Sequence, residues 1–161
     1  GRMSLIPGIK HSIIIDDTYN ASPIAMQEAV ETLAQIKENP EQKKIAVLGD
    51  MMELGSHSPE EHLEIGKRVA AAADTLVTVG VRARKIAEGA LNHGLSEKRI
   101  YQFENSQIAG KFLEGIVDPQ DVVLIKGSQS PRMERVVLEI MAEPQRAEEL
   151  LVRQEPEWEK R

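Results

Sequence analysis

Short apolar runs rich in β-branched residues alternate along the chain with longer segments in which apolar residues recur every three or four positions. Runs of the first kind are typical of buried strands, and segments of the second kind of amphipathic helices. The predicted strands are Ser12–Asp16, Lys44–Leu48, Thr75–Val79, Arg99–Phe103 and Val122–Ile125, and the predicted helices are Pro23–Lys37, Pro59–Ala73, Val81–Asn92, Ser106–Ile116 and Pro131–Ala142. This alternation predicts an α/β fold with a mostly parallel sheet of five or six strands and helices on both faces.

Three of the predicted helices start at a serine followed by a proline. Serine at this position accepts a hydrogen bond from an otherwise unpaired backbone N–H, and proline at the first helical position gives up no useful donor. In the second start, Glu61 lies three residues after Ser58 and completes the pattern of a capping box. The predicted starts are Ser22-Pro23, Ser58-Pro59 and Ser130-Pro131.

The two ends of the chain depart from the alternation. Arg2–Ile6 is predicted as an additional, antiparallel edge strand, because a Pro-Gly pair turns the chain directly after it. Residues 143–161 form a tail with ten charged side chains, in which a short helix over Gln145–Arg153 is predicted. Trp158 either docks the tail on the body or on a partner, or it belongs to a frayed terminus. Its position near the end of the chain favours the frayed terminus. The sequence thus predicts one domain over 1–142 and a charged, partly helical or disordered tail.

Composition and charge narrow the classes of function. The 161 residues suit one domain, which buries roughly 70% of its unfolded surface. The chain has no cysteine, and its four histidines are too scattered to predict a metal site. The formal net charge is −6 and Lys and Arg form no basic run, so no nucleic-acid partner is expected. The apolar runs are too short for a membrane span or a signal peptide, so we expect no membrane insertion and a cytoplasmic location.

The candidate chemistry lies where the predicted strands end. In an open parallel sheet, ligands bind beyond the carboxyl ends of the strands, because loops and helix N-termini converge there. Acids, a lysine and helix N-termini on one rim suit a ligand that carries phosphate or carboxylate together with hydroxyl groups. The residues at these ends are Asp16, Asp17 and Asn20, then Gly49 and Asp50, then Gly80, and finally Lys126, Gly127 and Ser128.

Structural explanations compete with functional ones at several of these positions. Asp16 is typical of a residue that shapes a turn, and a glycine after a strand allows either a tight turn or the close approach of a ligand. His62, in the first turn of its predicted helix, is interpreted as a packing or capping residue. Lys126 has a stronger functional interpretation, because a lysine at the end of a buried strand needs an anionic partner.

Two standard nucleotide-binding patterns are missing from the chain. It has neither the phosphate-loop pattern G-x-x-x-x-G-K-[ST] nor G-x-G-x-x-G after a strand. One remaining alternative is a signalling module that resembles a response-regulator receiver domain, with Asp16 and Asp17 as its acid pair, Asp50 as phospho-acceptor and Lys126 as its lysine. In this alternative Asp50 ends the second strand, one βα unit earlier than the resemblance requires.

Four segments of the chain together resemble the C-terminal domain of the Mur ligase family. In chain order they are Gly1-Arg2, IIIDDTYNASPIAM from residue 13, IAVLGDMMELGSHSPEEHLEIG from residue 45 and VLIKGSQSPRMERVV from residue 123. The resemblance covers residues 1 to about 142 and is most specific in DDTYNA and LGDMMELG. It is closest to the members that add D-alanyl-D-alanine to UDP-N-acetylmuramoyl-tripeptide.

The resemblance implies the Rossmann-like third domain of a three-domain amide ligase of peptidoglycan synthesis. In this family ATP phosphorylates the substrate carboxylate, and the amine of the incoming amino acid or dipeptide attacks the acyl phosphate. The phosphate loop, the magnesium ligands and a carbamylated lysine belong to the central domain. ATP and Mg would therefore be held mainly outside this chain, and the chain alone is expected to be inactive.

The resemblance also implies roles for single residues. Arg2 matches an arginine that reaches the nucleotide phosphates, Asp17 matches an aspartate on the nucleotide side, and Asn20 falls at a position near the reaction centre. On this basis all three are predicted to bind the nucleotide, and Asn20 is also predicted to be catalytic.

A second group of residues is assigned to the incoming dipeptide. Lys126, Ser128 and Ser130 lie in the segment that resembles its pocket, and Lys126 is also predicted to be catalytic. The chain departs from the family pattern twice, with Ser22 in place of asparagine and Gln129 in place of arginine. Without that arginine the pocket lacks a bidentate carboxylate donor, which bears on the choice of substrate.

Overall fold

Six strands form one sheet in the computed structural model, which describes residues 3–159 of the chain. The strands are β1 (Ser4–Pro7), β2 (Ile13–Asp17), β3 (Lys44–Gly49), β4 (Thr75–Val79), β5 (Ile100–Phe103) and β6 (Val122–Lys126). Their order across the sheet is β1-β2-β6-β3-β4-β5. Only β1 is antiparallel to its neighbour among these strands, so the predicted edge strand and the mostly parallel sheet are confirmed.

Helices cover both faces of the sheet, as the alternation of strands and helices predicts. The helices are α1 (Pro23–Gln35), α2 (Ser58–Ala72), α3 (Arg84–Asn92), α4 (Ser106–Ile116), α5 (Glu134–Ile140), α6 (Ala147–Leu150) and α7 (Pro156–Glu159). Buried apolar residues of α1, α2 and α3 form one core with one face of the sheet. Those of α4 and α5 form a second core on the opposite face. The Rossmann-like α/β fold is thereby confirmed.

The strand order contradicts the receiver alternative. Taken in chain order, the five parallel strands lie side by side as 1-5-2-3-4, because β6 is inserted between β2 and β3. Receiver domains share the flavodoxin-like order 2-1-3-4-5. The interpretation of Asp50 as a phospho-acceptor is therefore wrong. The order of the acids and the lysine along the chain suits a receiver domain, but that order does not tell where the last strand enters the sheet.

Of the three predicted Ser-Pro helix starts, one is confirmed. The Ser22 hydroxyl accepts a hydrogen bond from the amide of Ala25 at 3.1 Å. The second helix starts at Ser58 itself and has no side-chain cap, so the predicted capping box is wrong. The third helix starts only at Glu134, because Arg132 adopts a left-handed backbone with φ of 53° and interrupts the helical turn.

The C-terminal tail lies against the body. Its predicted helix is replaced by a 3₁₀ turn over Pro144–Arg146 and by the short α6. Leu151 follows in an extended conformation and is buried in the second core. The carbonyl oxygen of Trp158 accepts a hydrogen bond from the Arg132 guanidinium at 3.0 Å, so docking on the body describes Trp158 in this structure. Within residues 3–159, no helix is both long and apolar enough to cross a bilayer.

Candidate functional site

The acid pair that ends β2 is divided between two environments. Asp16 is buried, and its Oδ1 accepts hydrogen bonds from the amide and the hydroxyl of Thr18, at 3.2 and 2.6 Å. This geometry shapes the turn after the strand, as one interpretation of Asp16 predicts. Consecutive strand residues point to opposite sides of a sheet, so Asp17 can face a different partner.

The partner of Asp17 is Lys126. The two residues lie directly opposite each other in the register of β2 and β6, and Lys126 Nζ is 2.9 Å from Asp17 Oδ2. Both residues are buried, with relative exposures of 2% for Lys126 and 7% for Asp17. Lys126 also donates a hydrogen bond to the carbonyl oxygen of Asn20 at 2.8 Å. The anionic partner that the sequence requires for Lys126 is therefore a residue of the same chain.

Ser128 links the loops that follow three different strands. Its amide donates to the carbonyl oxygen of Asp50 at 2.9 Å, and its hydroxyl accepts from the amide of Met52 at 3.0 Å. The hydroxyl also lies 3.3 Å from the carbonyl oxygen of Ala21 as a donor. The side chain is buried and engaged by backbone groups, whereas Ser130 is exposed.

Asp50 faces the loop between β4 and α3. Its Oδ1 accepts a hydrogen bond from the amide of Ala83 at 2.7 Å, and Arg82 Nη1 is 3.8 Å from Oδ2. Gly80, with φ of 110°, makes room for this carboxylate, since a Cβ there would lie 2.4 Å from Oδ1. Burial raises the pKa of Asp50 above its ordinary value, although the Ala83 amide opposes this shift. The arrangement makes Asp50 a link between loops.

His62 fixes the loop that follows β3. Its Nε2 accepts a hydrogen bond from the amide of Met51 at 3.0 Å, and its Nδ1 lies 2.7 Å from the carbonyl oxygen of Ser58. Because Nε2 accepts, the proton of the neutral ring sits on Nδ1 and is donated to Ser58. The ring is fully buried, which confirms the interpretation of His62 as a packing and capping residue.

We expect Asp50→Asn to remove a pH dependence of folding. A raised pKa means that the folded protein binds the Asp50 proton more readily than the unfolded chain. The free energy of unfolding therefore falls as the pH rises from the ordinary carboxyl pKa through the folded one. The asparagine keeps an acceptor for Ala83 and carries no titrating proton, so this fall should disappear from denaturant titrations performed at a series of acidic pH values.

Asp118→Asn is the matched control with the opposite sign. Lys43 lowers the pKa of Asp118, so its contribution to stability is present above its ordinary pKa and is lost as the pH falls. The two variants should therefore change the acid limb of the stability curve in opposite directions. Equal effects of both variants would contradict the assignment of Asp50 as a buried carboxyl with a raised pKa.

Three open clefts meet at Asn20. The α1 cleft, of about 500 Å³, is lined by Asp17, Lys126 and residues of α1. The β6 cleft, of about 490 Å³, lies between Ser128, Gln129 and Ser130 on one side and the 52–54 loop on the other. The tail cleft, of about 340 Å³, is lined by Tyr19, Asn20, Gln129, Val152, Arg153, Glu155 and Trp158. Asn20 lines all three.

The structure thus brings most of the predicted site residues to one rim. Asp17, Asn20 and Lys126 share the α1 cleft, and Asn20 shares the β6 cleft with Ser128 and Ser130. Arg2, predicted to bind the nucleotide, lies outside the described residues. In the part of the chain from 3 to 159, no three His, Asp or Glu side chains are grouped to hold a metal ion.

Sequence reasoning missed Arg153 and Glu134, which lie behind this rim. Glu134 is 1% exposed and contacts both Arg132 and Arg153. Arg153 donates hydrogen bonds to carbonyl oxygens of the loop after β2. One arginine within a highly charged tail carries no pattern that distinguishes it from its neighbours, so only the structure could identify it.

Comparison with known proteins decides the family. Residues 1–129 match the model of the Mur ligase C-terminal domain, described as "Mur ligase, glutamate ligase domain". The chain belongs to the Mur ligase family. Similar curated relatives include the UDP-N-acetylmuramoyl-tripeptide--D-alanyl-D-alanine ligases of Bacillus subtilis, at 33% identity over 89% of this chain and 31% of the relative, and of Escherichia coli, at 31% identity over 85% and 28%.

A solved structure extends the likeness to three dimensions. The MurF ligase of Thermotoga maritima, in complex with ADP, matches this Mur ligase domain with a TM-score of 0.69 and 33% identity. The match covers 86% of this chain and 30% of that protein. The domain therefore spans about 30% of the length of the curated relatives it matches.

Proposed function

We propose that this Mur ligase domain is the C-terminal part of a cytoplasmic, ATP-dependent ligase that joins D-alanyl-D-alanine to UDP-N-acetylmuramoyl-tripeptide. The observation that carries the proposal is the similarity, over 89% of the chain, to a ligase named for these substrates. The ADP in the similar Thermotoga maritima structure supports the use of ATP.

The proposed reaction forms one amide bond at the expense of one ATP. The γ-phosphoryl group passes to the tripeptide carboxylate and ADP leaves; the dipeptide amine then attacks the acyl carbon, gives up a proton and displaces inorganic phosphate. N-terminal and central Mur ligase domains would complete the enzyme, with magnesium and the triphosphate held mainly by the central one. The present domain would close over them from the rim described above.

On the nucleotide side, the proposed groups are Arg2, Asp17 and Asn20 around the α1 cleft. Lys126, at the end of β6, contacts two of these residues. Its ammonium group has three donors, of which one meets the Asp17 carboxylate and one the Asn20 carbonyl oxygen. Lys126 would thus act by holding the nucleotide-side groups in place as well as by presenting positive charge.

On the dipeptide side, the β6 cleft is the proposed site. Ser130 is exposed there and free to present its hydroxyl, while the buried Ser128 would act by joining the loops that form the walls. Gln129 replaces the family arginine and offers a neutral amide, which binds a carboxylate more weakly than a bidentate guanidinium does. We therefore expect weak retention of the dipeptide carboxylate by this wall alone.

The decisive experiment compares the full-length ligase with the 161-residue chain. Given ATP, magnesium, UDP-N-acetylmuramoyl-tripeptide and D-alanyl-D-alanine, the full-length protein should release phosphate and form the pentapeptide product, as measured by a phosphate assay and mass spectrometry. The chain alone should give no product, because its sequence has no phosphate-loop pattern and, within residues 3–159, no three His, Asp or Glu side chains are grouped to hold a magnesium ion. Turnover by the chain alone would contradict the division of labour, and a full-length enzyme that accepts only a single amino acid would contradict the proposed substrate.

A further inference from the structure

Arg153 donates hydrogen bonds to two consecutive carbonyl groups of the loop between β2 and α1. Its Nη2 donates to the carbonyl oxygens of Thr18 at 2.8 Å and Tyr19 at 3.2 Å, and its Nη1 lies 3.2 and 3.4 Å from the same two atoms. The residue comes from a highly charged tail, yet it is only 7% exposed. A planar guanidinium fork can meet two neighbouring acceptors at once, which an ammonium group does less well.

Arg153 is itself held in place from the opposite side. Its Nε lies 3.7 Å from Glu134 Oε1, and the other oxygen of the same buried carboxylate accepts a hydrogen bond from Arg132 Nε at 2.5 Å. The guanidinium carbons of Arg132 and Arg153 lie 5.1 and 5.8 Å from the ring centroid of Trp158. One buried carboxylate and one aromatic ring therefore lie against both arginines between the body and the tail, and Arg153 Nε approaches Glu134 Oε1 without a hydrogen bond.

Both arginines adopt a backbone conformation that residues other than glycine rarely adopt. The φ angles are 53° at Arg132 and 56° at Arg153, in the left-handed region. Such conformations persist where surrounding contacts determine them, and they cluster at functional sites. The contacts that do so here are the ion pairs with Glu134 and the hydrogen bonds to the loop.

The loop that Arg153 holds carries the centre of the site. Three successive carbonyl groups, of Thr18, Tyr19 and Asn20, each accept a hydrogen bond from a buried cation. Arg153 takes the first two, and Lys126 takes the third. Asn20 lines all three clefts, so its placement depends on a loop that is fixed from the tail on one side and from β6 on the other.

We propose that Arg153 is a positioning residue for the ligase reaction and that residues 151–159 form a structural part of the site. It acts through the loop after β2: by fixing the carbonyl groups of Thr18 and Tyr19, it sets where Asn20 faces the α1, β6 and tail clefts. The catalytic part of this inference rests on the proposed function, whereas the fixing of the loop does not.

The test replaces Arg153 with methionine, which keeps much of the apolar stem and removes the guanidinium group. Arg146→Met is the matched control, because Arg146 lies in the same tail and pairs with the exposed Glu149. Hydrogen exchange of the peptide covering residues 16–22 should become about tenfold faster in Arg153→Met, as expected for a loop that opens locally, and should stay unchanged in the control. Exchange in β3 and β6 should stay slow in both variants.

Kinetics in the full-length ligase separate positioning from a loss of folded protein. A misplaced Asn20 should lower kcat/KM for D-alanyl-D-alanine by about 10 to 100-fold. The KM values for ATP and for the dipeptide should both rise, because Asn20 lines the clefts proposed for each of them. Partial unfolding would instead lower kcat alone and leave KM unchanged. Arg153→Lys, which keeps the charge but loses the fork, should fall between the wild type and Arg153→Met, and it replaces Arg153→Met should that variant not fold.

Two results would overturn the inference. Unchanged exchange at residues 16–22 would show that the loop does not need Arg153, whether or not the ligase is active. Faster exchange with unchanged kcat and KM would show that the fixed loop has no part in the reaction. A wild-type ligase without turnover on D-alanyl-D-alanine would contradict the proposed function instead, and the exchange measurement would still decide whether Arg153 holds the loop.

Discussion

Lys126→Met is expected to lower the free energy of unfolding by about 3–5 kcal/mol, the range typical of breaking a buried ion pair by removing one partner. The reason is that Asp17 would stay buried without its counter-charge, and the carbonyl group of Asn20 would lose its donor. Denaturant titration of the 161-residue chain, followed by circular dichroism, measures this loss.

Asp17→Asn and the double variant make the control for Lys126→Met. Removing both charges leaves no uncompensated ion, so the double variant should be less destabilised than the sum of the two single variants. A coupling energy near zero would show that the 2.9 Å contact between Asp17 and Lys126 contributes nothing to folding. In that case the retention of both charges at the rim would have to be explained by ligand binding alone.

Gly66→Ala is expected to have the second large effect, a loss of about 3 kcal/mol, at the upper end of the usual cost of overpacking. A Cβ at Gly66 would lie 2.1 Å from the carbonyl oxygen of Ile86 and 2.6 Å from the amide nitrogen of Ala90. These atoms belong to the backbone of α3 and cannot rotate away, so α2 and α3 would have to separate. The gain of about 1 kcal/mol in helix propensity does not offset this cost.

Gly115→Ala is the matched control, also within a helix. Apart from the adjoining backbone of its own helix, nothing lies within 4 Å of a Cβ built at Gly115, so the substitution should be neutral or stabilise by about 0.5–1 kcal/mol. Because α2 also carries His62, Gly66→Ala should speed hydrogen exchange at Met51, whose amide donates a hydrogen bond to His62 Nε2. Equal stability of the two alanine variants, measured by thermal and denaturant unfolding, would rule out the tight contact between α2 and α3.

The candidate site shows where sequence reasoning reaches its limit. A buried lysine needs an anion, so the requirement for a partner of Lys126 could be stated from the strand pattern alone. Which acid supplies it depends on the register between β2 and β6, two strands more than a hundred residues apart in the chain. In the same way, Ser128 is a polar residue after a strand in the sequence, and only the folded loops show that its hydroxyl is engaged by Met52 and Ala21.

Local patterns sufficed for the parallel strands, for one helix start and for the family, but not for the capping box at Ser58, the start of α5 or the tail helix. The period of the apolar residues predicted every parallel strand to within one residue at its start, and the N-cap at Ser22 followed from local chemistry. The DDTYNA and LGDMMELG segments predicted the Mur ligase family, which the match over residues 1–129 confirmed. These features depend on residues that are near one another in the chain, so the sequence alone was enough to determine them.

The tertiary structure decided the contacts that join distant parts of the chain. It placed β6 between β2 and β3, which excluded the receiver alternative, and it brought Arg153 against Thr18, 135 positions away in the sequence. Strand order and tail docking depend on which apolar faces pack together and on which buried charges find partners. Neither depends on propensities within a few residues, and for that reason no local pattern could have predicted them.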